Sequence, residues 1–185
     1  MSALPRSSLS PADFFAWEAE QTEKHEYHYG EVFSMAGGSP EHALIGMNAG
    51  AQLVAQLAGG PCRVFSSDLA VELDDAGRFC YPDVTVVCGT LVRSVHGPAA
   101  TNPTLVVEVL SPATAADDRG GKAEAYRRLP SVQAIVFVES ERAHADAFVR
   151  EGERWIVAEP DADGRLALGV ATLDVPALFD GLDLE

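Results

Sequence analysis

The sequence predicts an α/β (α+β) fold: a mixed β-sheet flanked by helices, in the core order helix, three strands, helix, strand. Three observations predict it. A long amphipathic segment follows Ser39-Pro40. A second helical segment follows the break at Ser111-Pro112. The β-branched runs around them never exceed strand length. With 185 residues, 47% apolar and 22% charged, the chain suits one domain with a proper core.

Each element has a local reason. Ser10-Pro11 is a cap followed by a first-turn proline and opens a short helix through Phe14, Phe15 and Trp17. Residues 24–29 and 31–35 read as two strands joined at Gly30. Ser39-Pro40-Glu41-His42 repeats the cap signal. A helix to about Ala58 is expected, with Leu44, Met47, Ala51, Val54 and Ala58 on one face and Gly59-Gly60 ending it. Residues 63–73 read as one strand closed by Asp74-Asp75-Ala76-Gly77, and 79–88 as the next, interrupted by Pro82. Residues 89–103 read as a surface loop, 104–110 as the central strand, 118–129 as a helix and 132–138 as a buried strand. Residues 143–150 and 154–158 make a hairpin around Glu151-Gly152, and 174–179 a short last helix. No repeat or domain boundary stands out. Residues 1–185 read as a single domain with its core at about 39–140, an N-terminal helix and strands at 10–36, and a C-terminal hairpin and helix at 141–185.

Composition limits the function classes. Net charge is −15, from 13 basic and 28 acidic residues, which argues against loose, charge-driven nucleic-acid binding. It leaves room for a small cationic site, particularly with a divalent metal. No apolar run has membrane-spanning length, and Met1-Ser2-Ala3-Leu4-Pro5-Arg6 lacks an apolar signal core, so a cytoplasmic location is expected. Cys62, Cys80 and Cys88 are odd in number, lack C-x-x-C spacing and lie in strands, so they read as buried free thiols rather than zinc ligands.

Two charges sit where strands should be apolar: Glu108 within Leu105-Val106-Val107-Glu108-Val109-Leu110, and Asp83 within Tyr81-Pro82-Asp83-Val84-Thr85-Val86-Val87. Buried carboxylates are rare without compensation, so two on consecutive strands ask for a shared cation. Alternation puts Val106, Glu108 and Leu110 on one face. Pro82 cannot donate a ladder hydrogen bond, so fraying there would open a pocket beside both acids. On the next helix Arg119, Lys122 and Tyr126 fall at i, i+3 and i+7, a single face. Asp, Glu and Lys together are the minimal set for metal-assisted phosphodiester hydrolysis.

The run Tyr81-Pro82-Asp83, Val107-Glu108-Val109-Leu110-Ser111-Pro112, Asp118-Arg119-Gly120, Lys122 and Tyr126-Arg127 resembles the Uma-two-type restriction endonucleases of the PD-(D/E)XK nuclease superfamily. Tyr29-Gly30-Glu31, Met35-Ala36-Gly37, Ser39-Pro40-Glu41-His42, the stretch from Cys62 to Leu69 and Val86-Val87-Cys88-Gly89 extend the match over roughly residues 10–180. The resemblance implies a restriction-endonuclease-like core and a Mg²⁺ (or Mn²⁺) site with Asp83 and Glu108 as ligands, joined by the backbone carbonyl of Val109. Lys122 would take the lysine role. One position departs from the pattern: Leu110, two after Glu108, stands where a typical member has lysine, and Lys122 on the following helix suits a relocated one.

Plainer roles stand beside these. Asp83 could cap a bulge through a nearby backbone N–H, Glu108 could form a buried ion pair with Lys122 or Arg119, and Lys122 could be a solvated helix lysine. Arg119 could meet phosphate or form a salt bridge, and Tyr126 could pack or act. His42, in the first turn of the long helix, could reach the site or decorate the surface. Family analogy offers Glu31 as a third carboxylate, and Asp68, which interrupts another apolar strand, reads as a supporting group. His25 and His28 point to opposite strand faces and do not read as a metal pair. Ser111 lacks G-x-S-x-G, and no nucleotide-binding loop is present. The leading expectation is an endonuclease acting on DNA, with no membrane association and room for a homodimer. The alternatives are a non-catalytic nuclease-fold binding or regulatory module, which the acidic surface favours, and hydrolysis of a smaller phosphoester.

Overall fold

The computed structural model describes residues 9–35, 38–112 and 114–183; Met1 to Arg6 and the Ala36-Gly37 part of the family motif lie outside them. Helix α1 (Pro11–Glu18) starts as its sequence demands: the Ser10 side chain accepts from the Asp13 N–H. Strands β1 (His25–His28) and β2 (Glu31–Ser34) form an antiparallel hairpin. Ser39 caps α2 (Pro40–Leu57) in the same way. Then come β3 (Cys62–Ser66), β4 (Ala70–Asp74), β5 (Arg78–Cys80), β6 (Val84–Cys88), β7 (Ala99–Ala100) and β8 (Leu105–Leu110). After β8 the chain makes a composite helix: α3 (Ala115–Asp117), a π-helical turn (Asp118–Lys122) and α4 (Ala123–Arg128). Strands β9 (Ala134–Glu139), β10 (Ala145–Glu151), β11 (Arg154–Ala158), β12 (Arg165–Ala167) and β13 (Thr172–Asp174) precede α5 (Val175–Leu178).

The expected core order appears within one sheet. Its six strands run β11-β10-β9-β8-β6-β3. Helix α2, strands β3, β6 and β8, the composite helix and β9 are the helix, three strands, helix and strand read from sequence. β8 and β9 are parallel, as a helical crossover allows, and the other pairs are antiparallel. A second sheet, β2-β1-β5-β4-β7, is built from the remaining early strands. β8 is buried at every position. Its Leu105, Val107 and Val109 pack toward α2 and the β12–β13–α5 unit. Val106 and Leu110 pack on the other face with Tyr126 of α4 and Val71, Leu73 and Cys80 of the second sheet.

Four expectations are corrected. Residues 63–73 are not one strand: a turn at Ser67–Leu69, closed by Leu69 N–H on Ser66 O, sends the chain from β3 in one sheet to β4 in the other. Residues 79–88 likewise return from β5 to β6 through Tyr81-Pro82-Asp83, where the proline donates no ladder bond. Within the expected surface loop, β7 is buried and pairs parallel with β4. Cys62 and Cys88 are not free thiols. They lie directly opposite each other across β3 and β6 and form a disulfide, while Cys80 is the expected buried thiol.

The inward face of α2 also differs. Ile45, Ala49 and Leu53 are buried, whereas Met47 is 70% and Val54 55% exposed. Both lines are apolar at helical spacing, so the pattern alone does not choose between them. The row Asn48, Gln52 and Gln56 decides the tilt. Their side-chain amides hydrogen-bond backbone carbonyls of Leu178, Asp174 and Thr172, tying α2 to the C-terminal unit. Arg150 of β10 anchors the far end of α4, donating to the carbonyls of Arg127, Leu129 and Val132. No helix among the described residues is long and apolar enough to cross a membrane.

The helix face is testable. Leu53→Ala should cost about 2–5 kcal/mol of stability, and Met47→Ala less than about 0.5 kcal/mol, measured by urea unfolding. Equal losses would contradict the tilt.

Candidate active site

The second sheet and the composite helix close over the face of β8 that carries Glu108. That carboxylate is 4% exposed, and its Oε1 accepts from the Tyr126 hydroxyl at 2.6 Å. Lys122, 5% exposed, points its ammonium into the same space. Nζ lies 2.8 Å from Oε1 of Glu26 on β1, 3.0 Å from Oδ1 of Asp118 one turn earlier, and 3.9 Å from Oε1 of Glu108. Asp83 stands at the crossing between sheets. Its Oδ2 accepts from the backbone N–H of Val109 at 2.7 Å and lies 3.6 Å from Nε2 of His42 in the first turn of α2. The side chains of both Asp83 and His42 keep 21% exposure, so this is the edge open to solvent.

Local sequence explains the placements. Glu108 faces the crossover helix because it shares the parity of Val106 and Leu110. Lys122 ends the π turn, whose five residues include Gly120-Gly121. Such a turn inserts one residue into a helix and recurs at functional sites. Arg78 of β5 holds it, donating to Gly121 O at 3.1 Å and pairing with Asp117 at 3.6 Å. A Cβ on Gly38 would come 2.7 Å from Nδ1 and 2.9 Å from Cγ of His42, so this glycine leaves the imidazole its place beside Asp83.

The electrostatics are unbalanced. Burial raises the Asp83 carboxyl above its ordinary range, partly countered by His42, the Val109 N–H and Lys122. Burial pushes Glu108 up to about 8, with Lys122 opposing and Asp118 and Asp83 adding repulsion. Burial alone would lower Lys122, but Glu108, Glu26 and Asp118 outweigh it and hold the ammonium well above its usual value. Burial would also raise Glu26, but His28 and Lys122 bring its carboxyl below the ordinary range. One ammonium thus faces three carboxylates, with a fourth at the rim. Asp83 and Glu108 offer oxygen donors of the kind that hard divalent cations take, with His42 beside Asp83 and His28 beside Glu26. Among the described residues no three His, Cys, Asp or Glu side chains form a ready-made metal cage. An ion here would complete its shell with water or phosphate oxygens, as Mg²⁺ commonly does.

Five sequence-selected residues converge: Asp83, Glu108, Lys122, Tyr126 and His42. Val109 joins them through its N–H. Three lie apart. Arg119 turns away to a bidentate pair with Asp146 at 2.9 and 2.5 Å and covers the Phe137 ring, because the π turn rotates it off the Lys122 face. Glu31 is exposed opposite His28, and Asp68 is an exposed partner of Lys24. Sequence reasoning missed Glu26, 1% exposed, and gave Asp118 and Arg78 no role. Glu26 carries the signal that revealed Glu108, a charge inside the strand His25-Glu26-Tyr27-His28, but flanking histidines made that strand look polar.

Comparison with known proteins bears on the family and the fold. The model of the Uma2 family, described as "Putative restriction endonuclease", matches residues 11–180. The chain belongs to the Uma2 family. Two uncharacterized proteins of Synechocystis sp. are similar: slr1290, 36% identical across 97% of this chain and 96% of its own length, and sll1609, 28% identical across 82% and 86%. A crystal structure described as a putative nuclease belonging to DUF820, from Anabaena variabilis, shares the fold of this Uma2 chain with a TM-score of 0.69. Its identity is 17%, over 95% of this chain and 98% of that one.

The raised Glu108 has a consequence for stability. Its folded-state pKa lies above the unfolded value near 4.5, so it binds a proton more tightly when folded. Its contribution is complete below that value and is lost as pH climbs toward 8, by at most about 1.4 kcal/mol per pH unit. Without added divalent ion, Glu108→Gln should flatten this decline and unfold at a higher temperature than wild type at pH 8. Parallel melting curves between pH 5 and 8 would contradict it.

Proposed function

We propose that this Uma2 protein is a metal-dependent endonuclease that hydrolyses phosphodiester bonds of DNA, with Asp83, Glu108 and Lys122 at its centre. The observation that carries the reading is the buried cluster itself, which gathers more negative charge than Lys122 neutralises and leaves Asp83 at a solvent-facing edge. Asp83, Glu108 and the Val109 carbonyl would hold Mg²⁺ or Mn²⁺. Bound there, the ion would supply Lewis-acid stabilisation of phosphate charge and lower the pKa of a nearby water.

The chain's own groups divide the remaining work. Lys122 is held as an ammonium by Glu26 and Asp118, so its role is electrostatic: it offsets charge developing on the phosphate rather than removing a proton. Tyr126 fixes the Glu108 carboxylate through a 2.6 Å hydrogen bond. His42 faces Asp83 across the open edge, where it can donate to a phosphate oxygen or a leaving group. Glu26 is a positioning residue that fixes Lys122.

The net charge of −15 supports a second reading, a nuclease-fold module that binds without turnover. Calorimetric titration with Mg²⁺ and Mn²⁺ separates the two. Wild type should bind, and Glu108→Ala should not. Asp83→Ala and Glu108→Ala should each lose at least about 100-fold of Mg²⁺-dependent cleavage. Glu26→Gln should lose about tenfold in kcat while keeping its metal affinity. Full cleavage by both alanine variants would overturn the assignment of Asp83 and Glu108, and absence of metal binding by folded wild type would favour the binding module.

A further inference from the structure

Beside Asp83 the surface opens into a groove of about 970 Å³, large enough for a nucleotide. The exposed face of α2 forms one side, through His42, Gly46, Met47, Gly50 and Val54. Phe65 of β3 and Met35 stand among the opposing residues. Gly46 lines the groove without a side chain, and a Cβ there would lie 3.9 Å from Asp83 Cβ. Phe65 is half-buried yet belongs to none of the three buried clusters of the described residues. Lys24 is the only lysine or arginine among the described residues lining the groove. Its ammonium is already taken by Asp68 and by the Ser67 carbonyl at 3.0 Å.

A groove that tracked duplex phosphates would need a row of free cations, and the described residues that line this one offer none. An apolar trough with a half-buried aromatic ring suits a planar base instead, since stacking works for any base and needs no charge. We infer that the groove seats an unpaired nucleotide base next to the scissile phosphate, so that the substrate is single-stranded DNA. The inference rests on the nuclease reading, because Asp83 marks where the phosphate would lie. The exposed Met47 and Val54 would then flank a base and not the protein's own core.

The test measures fluorescence anisotropy of labelled 12-nucleotide probes on Glu108→Gln protein with Mg²⁺, so that cleavage does not consume them. Three probes are compared: a single strand, the same sequence as a duplex, and a strand of abasic residues with the same phosphates. The single strand should bind at least about tenfold tighter than either other probe. Its affinity should fall with salt with a log–log slope of magnitude below about 2. Phe65→Ala should weaken single-strand binding about tenfold, and Met47→Ala, at an exposed position that folding tolerates, should weaken it in the same direction. Equal binding of duplex and single strand, or equal binding of the abasic strand, would overturn the inference. So would a dimer in sedimentation that Met47→Glu converts to monomer while wild type shows no single-strand preference, because the face would then serve a second copy. Wild-type cleavage separates the two levels. Duplex cut as fast as single strand would leave the nuclease reading standing and this inference refuted. Selective single-strand binding without any cleavage would do the reverse.

Discussion

Everything around the candidate site follows from burying one ammonium among several carboxylates. Taking the Lys122 charge out of water is costly unless partners replace its hydration. Glu26, Asp118 and Glu108 replace it from three different elements: β1 of one sheet, the π turn, and β8 of the other sheet. The lysine therefore pins the second sheet and the crossover helix onto the first. The same burial raises Glu108, with the nearby Asp118 and Asp83 adding to the rise. Structural role and chemical role are here one electrostatic problem. A buried ion cluster is weak evidence of stability taken alone. Its retention makes more sense if the imbalance is used.

The two sheets give that cluster its walls. The chain crosses between them at Ser67–Leu69 and again at Tyr81-Pro82-Asp83. The second crossing leaves Asp83 half outside, where it meets His42 from α2. One edge of the cluster is thus wet and the rest is dry. A substrate phosphate could reach the wet edge without the interior being opened.

Much of this was legible in the sequence, and for identifiable reasons. Glu108 and Asp83 stood out because a charge inside a β-branched run is costly, and Lys122 because it shares a face with Tyr126. The order α2, β3, β6, β8, crossover helix, β9 followed from caps, prolines and strand-length runs. The second sheet was not legible: 63–73 and 79–88 each read as one strand because local pattern reports burial, not which sheet provides it. Glu26 was hidden between two histidines. Arg119 was misplaced because the helical spacing used for it assumes 3.6 residues per turn, and the π turn breaks that spacing. The Cys62–Cys88 pairing depended on a strand register that spacing does not reveal. For α2, two apolar stripes competed, and the polar amides that chose between them met their partners more than a hundred residues away.

The π turn carries a consequence for how such a chain could change over time. A single extra residue within the helix separates Asp118, Arg119 and the two glycines from an ordinary helical course. Losing one glycine would restore regular winding and leave Asp118 three residues before Lys122, still on its face. The result would be a straighter and locally sturdier helix that keeps this charged pair. A one-codon deletion is therefore a change that the buried ammonium could survive. Within a lineage, the doublet Gly120-Gly121 could shrink without the charged interior being lost.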